Sequence, residues 1–93
     1  MNNQQIEIMA KKIKALANAK RLKILYYIVS DDELSVGEIE KKVDLSQSAL
    51  SQHLAVLREE NIVKTRRSAQ TIYYSIKDEK IVHILATISD LYS

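Results

Sequence analysis

The chain has no cysteine, no proline, no tryptophan and no phenylalanine, and only one glycine, Gly37, among 93 residues. Without cysteine there is no disulfide, no thiolate metal ligand and no thiol switch. A lone glycine cannot build a Gly-rich phosphate loop, so nucleotide-binding motifs of that kind are excluded. No proline, repeat or low-complexity linker divides the chain, and its length fits one domain, residues 1–93. Long apolar runs are missing as well. The longest, Ile24 to Val29, falls far short of the ~20 residues of a membrane span. The start, MNNQQIEIMAKK, is polar and then basic, unlike a signal peptide. The expectation is a cytoplasmic protein with no membrane partner. Enzyme signatures are scarce too: no HExxH, no Cys nucleophile and no Ser-His-carboxylate grouping with recognisable context, so neither catalysis nor a cofactor is expected.

What is present is a globular composition, 46% apolar and 28% charged, which departs from that of a disordered chain. A domain this short buries only somewhat more than ~60% of its unfolded surface, so a second copy would add useful core. Net charge is only +2, but it is unevenly spread. Between Ile8 and Ser30 stand six bases and no acid, and Lys64, Arg66 and Arg67 form a second cluster. Such local fields are what a polyanion meets, although for the first cluster a solvated helix face is the readier account, Lys and Arg being usual surface residues.

Apolar residues at Ile6, Met9, Ile13 and Leu16 predict a first helix near 4 to 17. Asn18 is a cap for a second, with Leu22, Leu25, Ile28 and Val29 toward the core. Asp31, Asp32 and Glu33 break that pattern. Ser35 with Glu38 forms a capping box, and Leu34 with Ile39 a hydrophobic staple, so a short third helix starts at Val36 and runs to about Val43. Asp44 then suits a left-handed exit. Ser46 caps a fourth helix over about 46 to 60, with Leu45 and Leu50 repeating the staple. Two short helices meeting across a tight turn make a helix-turn-helix, whose second helix enters a DNA major groove.

After Asn61 the period becomes two. Ile62 to Arg67 and Gln70 to Ile76 predict a hairpin across residues 62–76, its turn near Ser68 and Ala69 lacking the Asn-Gly or Asp-Gly of a tight loop, which suggests a longer or mobile one. Ile81, Leu85, Ile88 and Leu91 mark a last helix from about Asp78 to Tyr92. The fold class is therefore mostly α with a small β-hairpin: four helices, two strands and a fifth helix, a winged helix-turn-helix. The apolar stripes on its first and last helices call for a second copy, a homodimer.

On the fourth helix Leu50, Leu54 and Leu57 fall in one arc, with Gln47, Ser48, Ser51, Gln52 and Arg58 opposite. Carboxylates there would repel phosphates, whereas Gln and Ser donate to and accept from base edges. Gln47, Ser48, Ser51 and Gln52 are thus the candidate base-reading residues. A solvated helix with capping serines is the plainer alternative, at the expense of helix propensity. Lys64, Arg66 and Arg67 lie on the wing, where Arg66 and Arg67 are candidate DNA contacts on opposite strand faces; a charged edge strand guarded against aggregation looks the same. Tyr73 and Tyr74 fit hairpin core better than base stacking. His53, at the border of the apolar arc, fits a hydrogen-bonded, partly buried role. Glu79 and His83 at i, i+4 offer one edge of a metal site, with Asp78 or Asp90 in reach only across a dimer, and no second His or Cys stands on that helix, so no metal is assigned.

The segments LANAKRLKILYYI (16 to 28), ELSVGEI (33 to 39), LSQSALSQHLAVLREENIV (45 to 63) and RRSAQTIYYSI (66 to 76) resemble the ArsR family of bacterial winged-helix transcription regulators, and within it the HlyU-like branch. The resemblance implies a homodimer on an imperfect palindrome, the fourth helix in the major groove, the wing beside it, and the first and last helices at the dimer interface. It also implies DNA contact for Gln47, Ser48, Ser51 and Gln52. Members of the family commonly repress and dissociate on meeting an inducer; those of the HlyU-like branch raise expression by displacing a nucleoid silencer. That branch senses through two cysteines, whose positions here hold Tyr26 and Ser93, so the thiol switch is not carried over, and no inducer is indicated. The leading expectation is a sequence-specific dimeric regulator of double-stranded DNA. The second is an architectural DNA binder or anti-silencer that senses nothing, and a third is a helical dimerisation module without nucleic acid.

Overall fold

The computed structural model describes residues Met1–Ser93. Helix α1 (Asn3–Leu16) opens on a capping box: the Asn2 side chain accepts from the Gln5 amide at 2.8 Å, and the Gln5 side chain accepts from the Asn2 amide at 2.9 Å. Helix α2 (Ala19–Asp31) is capped by Asn18, whose side chain accepts from the amides of Lys20 and Arg21. The capping box of Ser35 and Glu38 starts α3 (Val36–Lys42) as expected. The Ser35 amide and hydroxyl hold the Glu38 carboxyl below its ordinary pKa of 4.5. Ser46 Oγ accepts from the Ala49 amide and starts α4 (Gln47–Glu59). Asp78 accepts from the Lys80 amide and starts α5 (Glu79–Tyr92).

Three details correct the sequence reading. Leu34–Ser35 forms a short strand, β1, which pairs antiparallel with the second hairpin strand through Leu34↔Tyr74 and Ser35↔Tyr73. With β2 (Val63–Ser68) and β3 (Thr71–Ile76) the wing is a three-stranded sheet, order β1-β3-β2. Two extended residues are too few to show an alternation, and the cap and staple account for them already. Asp44 does not take up the left-handed exit: α3 ends at Val43 in extended backbone, and positive φ falls at Asp32, Asn61 and Ala69. The hairpin loop is not long. Ser68 pairs with Thr71, leaving only Ala69 and Gln70 between the strands, with Ala69 at φ 56°. The tight turn is made despite the missing glycine, with Ala69 in a conformation that crowds its Cβ.

Leu50, Leu54 and Leu57 of α4 enter one core with Ile24, Leu25 and Ile28 of α2, Ile39 of α3, Tyr74 of β3, and Ile81 and Leu85 of α5. That core fixes which side of α4 faces out. Along α1 and α5 the apolar stripes extend beyond the core: Ile13 is 56% and Leu91 72% exposed, and Ile6, Ile8, Met9, Ile84 and Ile88 also reach solvent. Between these two helices runs an apolar groove of about 260 Å³, with Lys12 and Asp78 at its edge. No helix is long and apolar enough to cross a membrane.

Candidate nucleic-acid interface

Burial of Leu50, Leu54 and Leu57 turns the opposite side of α4 outward. Gln47, Ser48, Ser51 and Gln52 are all exposed on it. None of the four side chains forms a hydrogen bond within the chain, in contrast with Ser46 next to them, whose hydroxyl is used as the cap. The first turn of α4 carries no acid, so nothing offsets the positive end of its helix dipole. The four residues singled out in the sequence are therefore brought together on one open, acid-free surface.

At the other end of the same helix, Arg58 donates from Nη1 to the hydroxyl of buried Tyr74 at 2.5 Å. This bond ties α4 to the wing. Arg58 belongs to the polar arc by periodicity, but here it serves the junction. Tyr74 is core, and Tyr73 is half-buried with the Arg66 guanidinium 4.4 Å from its ring centre.

The basic wing cluster splits in two. Opposed residues of an antiparallel ladder share a face, and Thr65↔Tyr74 and Arg67↔Ile72 fall on the face whose tyrosine hydroxyl meets Arg58 of α4. Lys64↔Ser75 and Arg66↔Tyr73 fall on the other. There Arg66 forms a two-pronged pair with Glu33, Nε to Oε2 at 2.9 Å and Nη2 to Oε1 at 2.7 Å. The pairing lowers the Glu33 pKa and raises that of Arg66, the hydrogen bond being the main cause for each. Lys64 lines a shallow cleft with Asp32 and Glu79. Arg67 alone of the three stands on the α4 side, exposed and without an intramolecular partner. Glu33 was not legible as the partner of Arg66, because 33 residues separate them and no local spacing signals the contact.

The N-terminal basic cluster is likewise partly consumed. Lys12 Nζ donates to the Glu60 carbonyl at 2.6 Å, and Lys20 Nζ to the Asp44 carbonyl at 3.5 Å. Arg21 donates to the carbonyls of Ala15 and Lys14 and sits beside His53. Lys11, Lys14 and Lys23 remain exposed. On α5, His83 is exposed and no three His, Cys, Asp or Glu residues cluster to hold a metal. The Tyr26 hydroxyl donates to the Leu85 carbonyl of α5 at 2.7 Å, and the Ser93 hydroxyl bonds back to Ser89. Where the resemblance places a reactive pair, this chain has a fixed tyrosine strap between α2 and α5.

The sequence pattern of the family described as bacterial regulatory protein, arsR family, matches residues 18–65, from the cap of α2 into β2. The nodulation protein NolR of Rhizobium meliloti is 51% identical over 90 residues, covering 97% of this chain and 73% of its own. The transcriptional activator HlyU of Vibrio cholerae is 44% identical over 96 residues, covering 99% and 88%. The structure of HlyU from Vibrio cholerae N16961 superposes with a TM-score of 0.90 at 41% identity, over 98% of each chain. A biofilm growth-associated repressor of Agrobacterium fabrum is 42% identical over 76 residues, covering 82% of this chain and 64% of its own.

Proposed function

Because the chain belongs to the arsR family of bacterial regulatory proteins, which are DNA-binding transcription regulators and not enzymes, we propose that it reads a palindromic operator as a homodimer. A single domain, residues 1–93, serves both DNA binding and dimerisation, in the cytoplasm. Gln47, Ser48, Ser51 and Gln52 meet base edges in the major groove, and Arg67 meets phosphate or the minor groove from the wing. Arg66 is the weaker of the two wing candidates, since reaching DNA would mean surrendering Glu33. The apolar faces of α1 and α5 cover each other across a two-fold axis.

One observation carries this reading: four short polar side chains on one side of α4 stand exposed and unbonded, on a helix whose other side is locked into the core. Side chains of this kind match the donor and acceptor patterns of bases and add little as solvated helix surface. Two such helices related by a dimer axis meet one duplex face when they lie about 34 Å apart.

The test is a nuclease footprint on a duplex selected from random sequence. Two protected half-sites about 10 base pairs apart, centre to centre, are the expected result. Uniform coverage of any duplex points instead to an architectural binder. The absence of any complex at ~50 mM salt, where phosphate contacts are strong, rejects DNA binding altogether.

A further inference from the structure

One guanidinium reaches from α2 to two other helices. Arg21, in the first turn of α2, donates from Nε to the Ala15 carbonyl at 2.5 Å and from Nη2 to the Lys14 carbonyl at 3.4 Å. Both belong to the last turn of α1; the Ala15 carbonyl has no further helical partner there, while that of Lys14 also accepts from the Ala17 amide. Its Nη1 lies 3.2 Å from Nδ1 of His53, midway along α4. A guanidinium has only donors and keeps its proton, so Nδ1 must be the acceptor. His53 is therefore neutral here, with its proton on Nε2. Lys12 supplies a second tie from α1, to the Glu60 carbonyl at the far end of α4.

We propose that Arg21 is a positioning residue for DNA reading: by gripping His53 it holds α4 at one setting against α1, and proton uptake by His53 breaks the grip and loosens the reading helix. The proposal rests on α4 being the DNA-contacting helix.

The surroundings of the imidazole are cationic. Arg21 and Lys20 face it from α2, and the groove beside Arg21 adds Lys11 and Lys14 of α1 and Glu60 at the end of α4. No carboxylate forms an ion pair with His53. Burial chiefly, then the charges of Arg21 and Lys20, hold its pKa below the ordinary 6.5. The gripped state thus binds fewer protons than a released one. Its stabilisation is complete above pH 6.5 and is lost as the pH falls from there toward the folded-state value. Once protonated, the ring nitrogen presents an N–H to the Arg21 donors, and a hydrogen bond becomes a repulsion.

Variants of matched shape separate a grip from simple packing. In His53→Asn the amide oxygen takes nearly the Nδ1 position and does not titrate, whereas His53→Leu keeps bulk and has no acceptor. The full chain's affinity for a duplex selected from random sequence, divided by its affinity for a scrambled duplex, is measured as the pH is lowered. The wild-type ratio is expected to fall about fivefold or more between about pH 7.5 and 5.5, the lower end of ordinary coupling between linked sites. His53→Asn keeps a flat ratio, and His53→Leu and Arg21→Gln begin low by a similar factor. A wild-type ratio that is flat or rises in acid, or a His53→Asn ratio that falls as wild type does, overturns the proposal.

Nitrogen NMR of the imidazole reads the grip without DNA. Wild type should carry its proton on Nε2 and titrate below pH 6.5, with the midpoint moving up in Arg21→Gln. A proton on Nδ1, or a midpoint indifferent to Arg21, overturns it. If selection yields no preferred duplex, the DNA reading fails and takes the proposal with it. If a preferred duplex is found and all variants bind it alike at every pH, the proposal alone fails.

Discussion

Two surfaces of this molecule lack partners within the chain, and they differ in kind. The outer side of α4 carries Gln47, Ser48, Ser51 and Gln52, while the outer sides of α1 and α5 carry Ile6, Ile13, Ile88 and Leu91. Water satisfies the polar surface, so leaving it open costs little and its hydrogen bonds can be exchanged for base edges and returned. The apolar surface loses about 25 cal/mol for every Å² left in water, a cost that only lasting coverage removes. The two surfaces therefore suit different partners: a reversible, salt-sensitive one at α4 and a permanent one at α1 and α5. On the proposed reading, the second copy on the apolar side is what places two polar sides on one duplex.

The comparison breaks most sharply at the apolar side. Ile13→Glu puts a charge into the proposed dimer face of a residue that is already more than half exposed, so the subunit still folds. Sedimentation should show monomers, and affinity for the selected duplex should fall by about 100-fold or more, because two linked half-sites become one. A dimer that persists with full affinity would assign those stripes another role.

On the polar side the expected losses are smaller and selective. Gln47→Ala or Ser51→Ala should cost about 1–3 kcal/mol on the selected duplex and almost nothing on a scrambled one, with the dimer intact. Titration of both duplexes by fluorescence anisotropy checks this.

Smaller again is the effect expected from the wing, which sharpens the contrast between neighbouring arginines. Arg67→Ala should weaken selected and scrambled duplexes alike and reduce the slope of log affinity against log salt by about one. Arg66→Ala should leave that slope unchanged, since its guanidinium already answers Glu33. Equal slope changes from the two variants would put both faces of the wing on DNA.

How far these surfaces can be read from sequence depends on the range of the signal. Leu50, Leu54 and Leu57 recur at helical spacing, so both sides of α4 follow from local periodicity, and the caps at Asn18, Ser35 and Ser46 mark helix starts within three residues. The exposed stripes of α1 and α5 are legible for the same reason. The contacts that join the elements are not: Arg66 with Glu33, Arg21 with His53, Arg58 with Tyr74 and Tyr26 with the Leu85 carbonyl link residues 16 to 59 positions apart. Their pairing is set by how helices and strands pack against one another, which no short spacing encodes. Strand β1 is hidden for a different reason, since its two residues also serve the start of α3.

The smallest expected effect lies at the hairpin tip, where sequence rules and structure conflict. Ala69 holds φ 56° in a two-residue loop that usually contains glycine. Ala69→Gly relieves the crowded Cβ and loosens the unfolded chain in return, for a net gain of about 0.5–1 kcal/mol by chemical denaturation. Affinity for DNA should not change.

The most direct test of the central claim, that the polar side of α4 reads bases, is to repeat the selection from random duplexes with Gln52→Ala and compare the recovered sequences with those of wild type. The account predicts that preference relaxes at one base position, and at its mate in the opposite half-site, while the rest of the palindrome is retained. Recovery of an unchanged palindrome, with every sequence bound more weakly by one common factor, would contradict it.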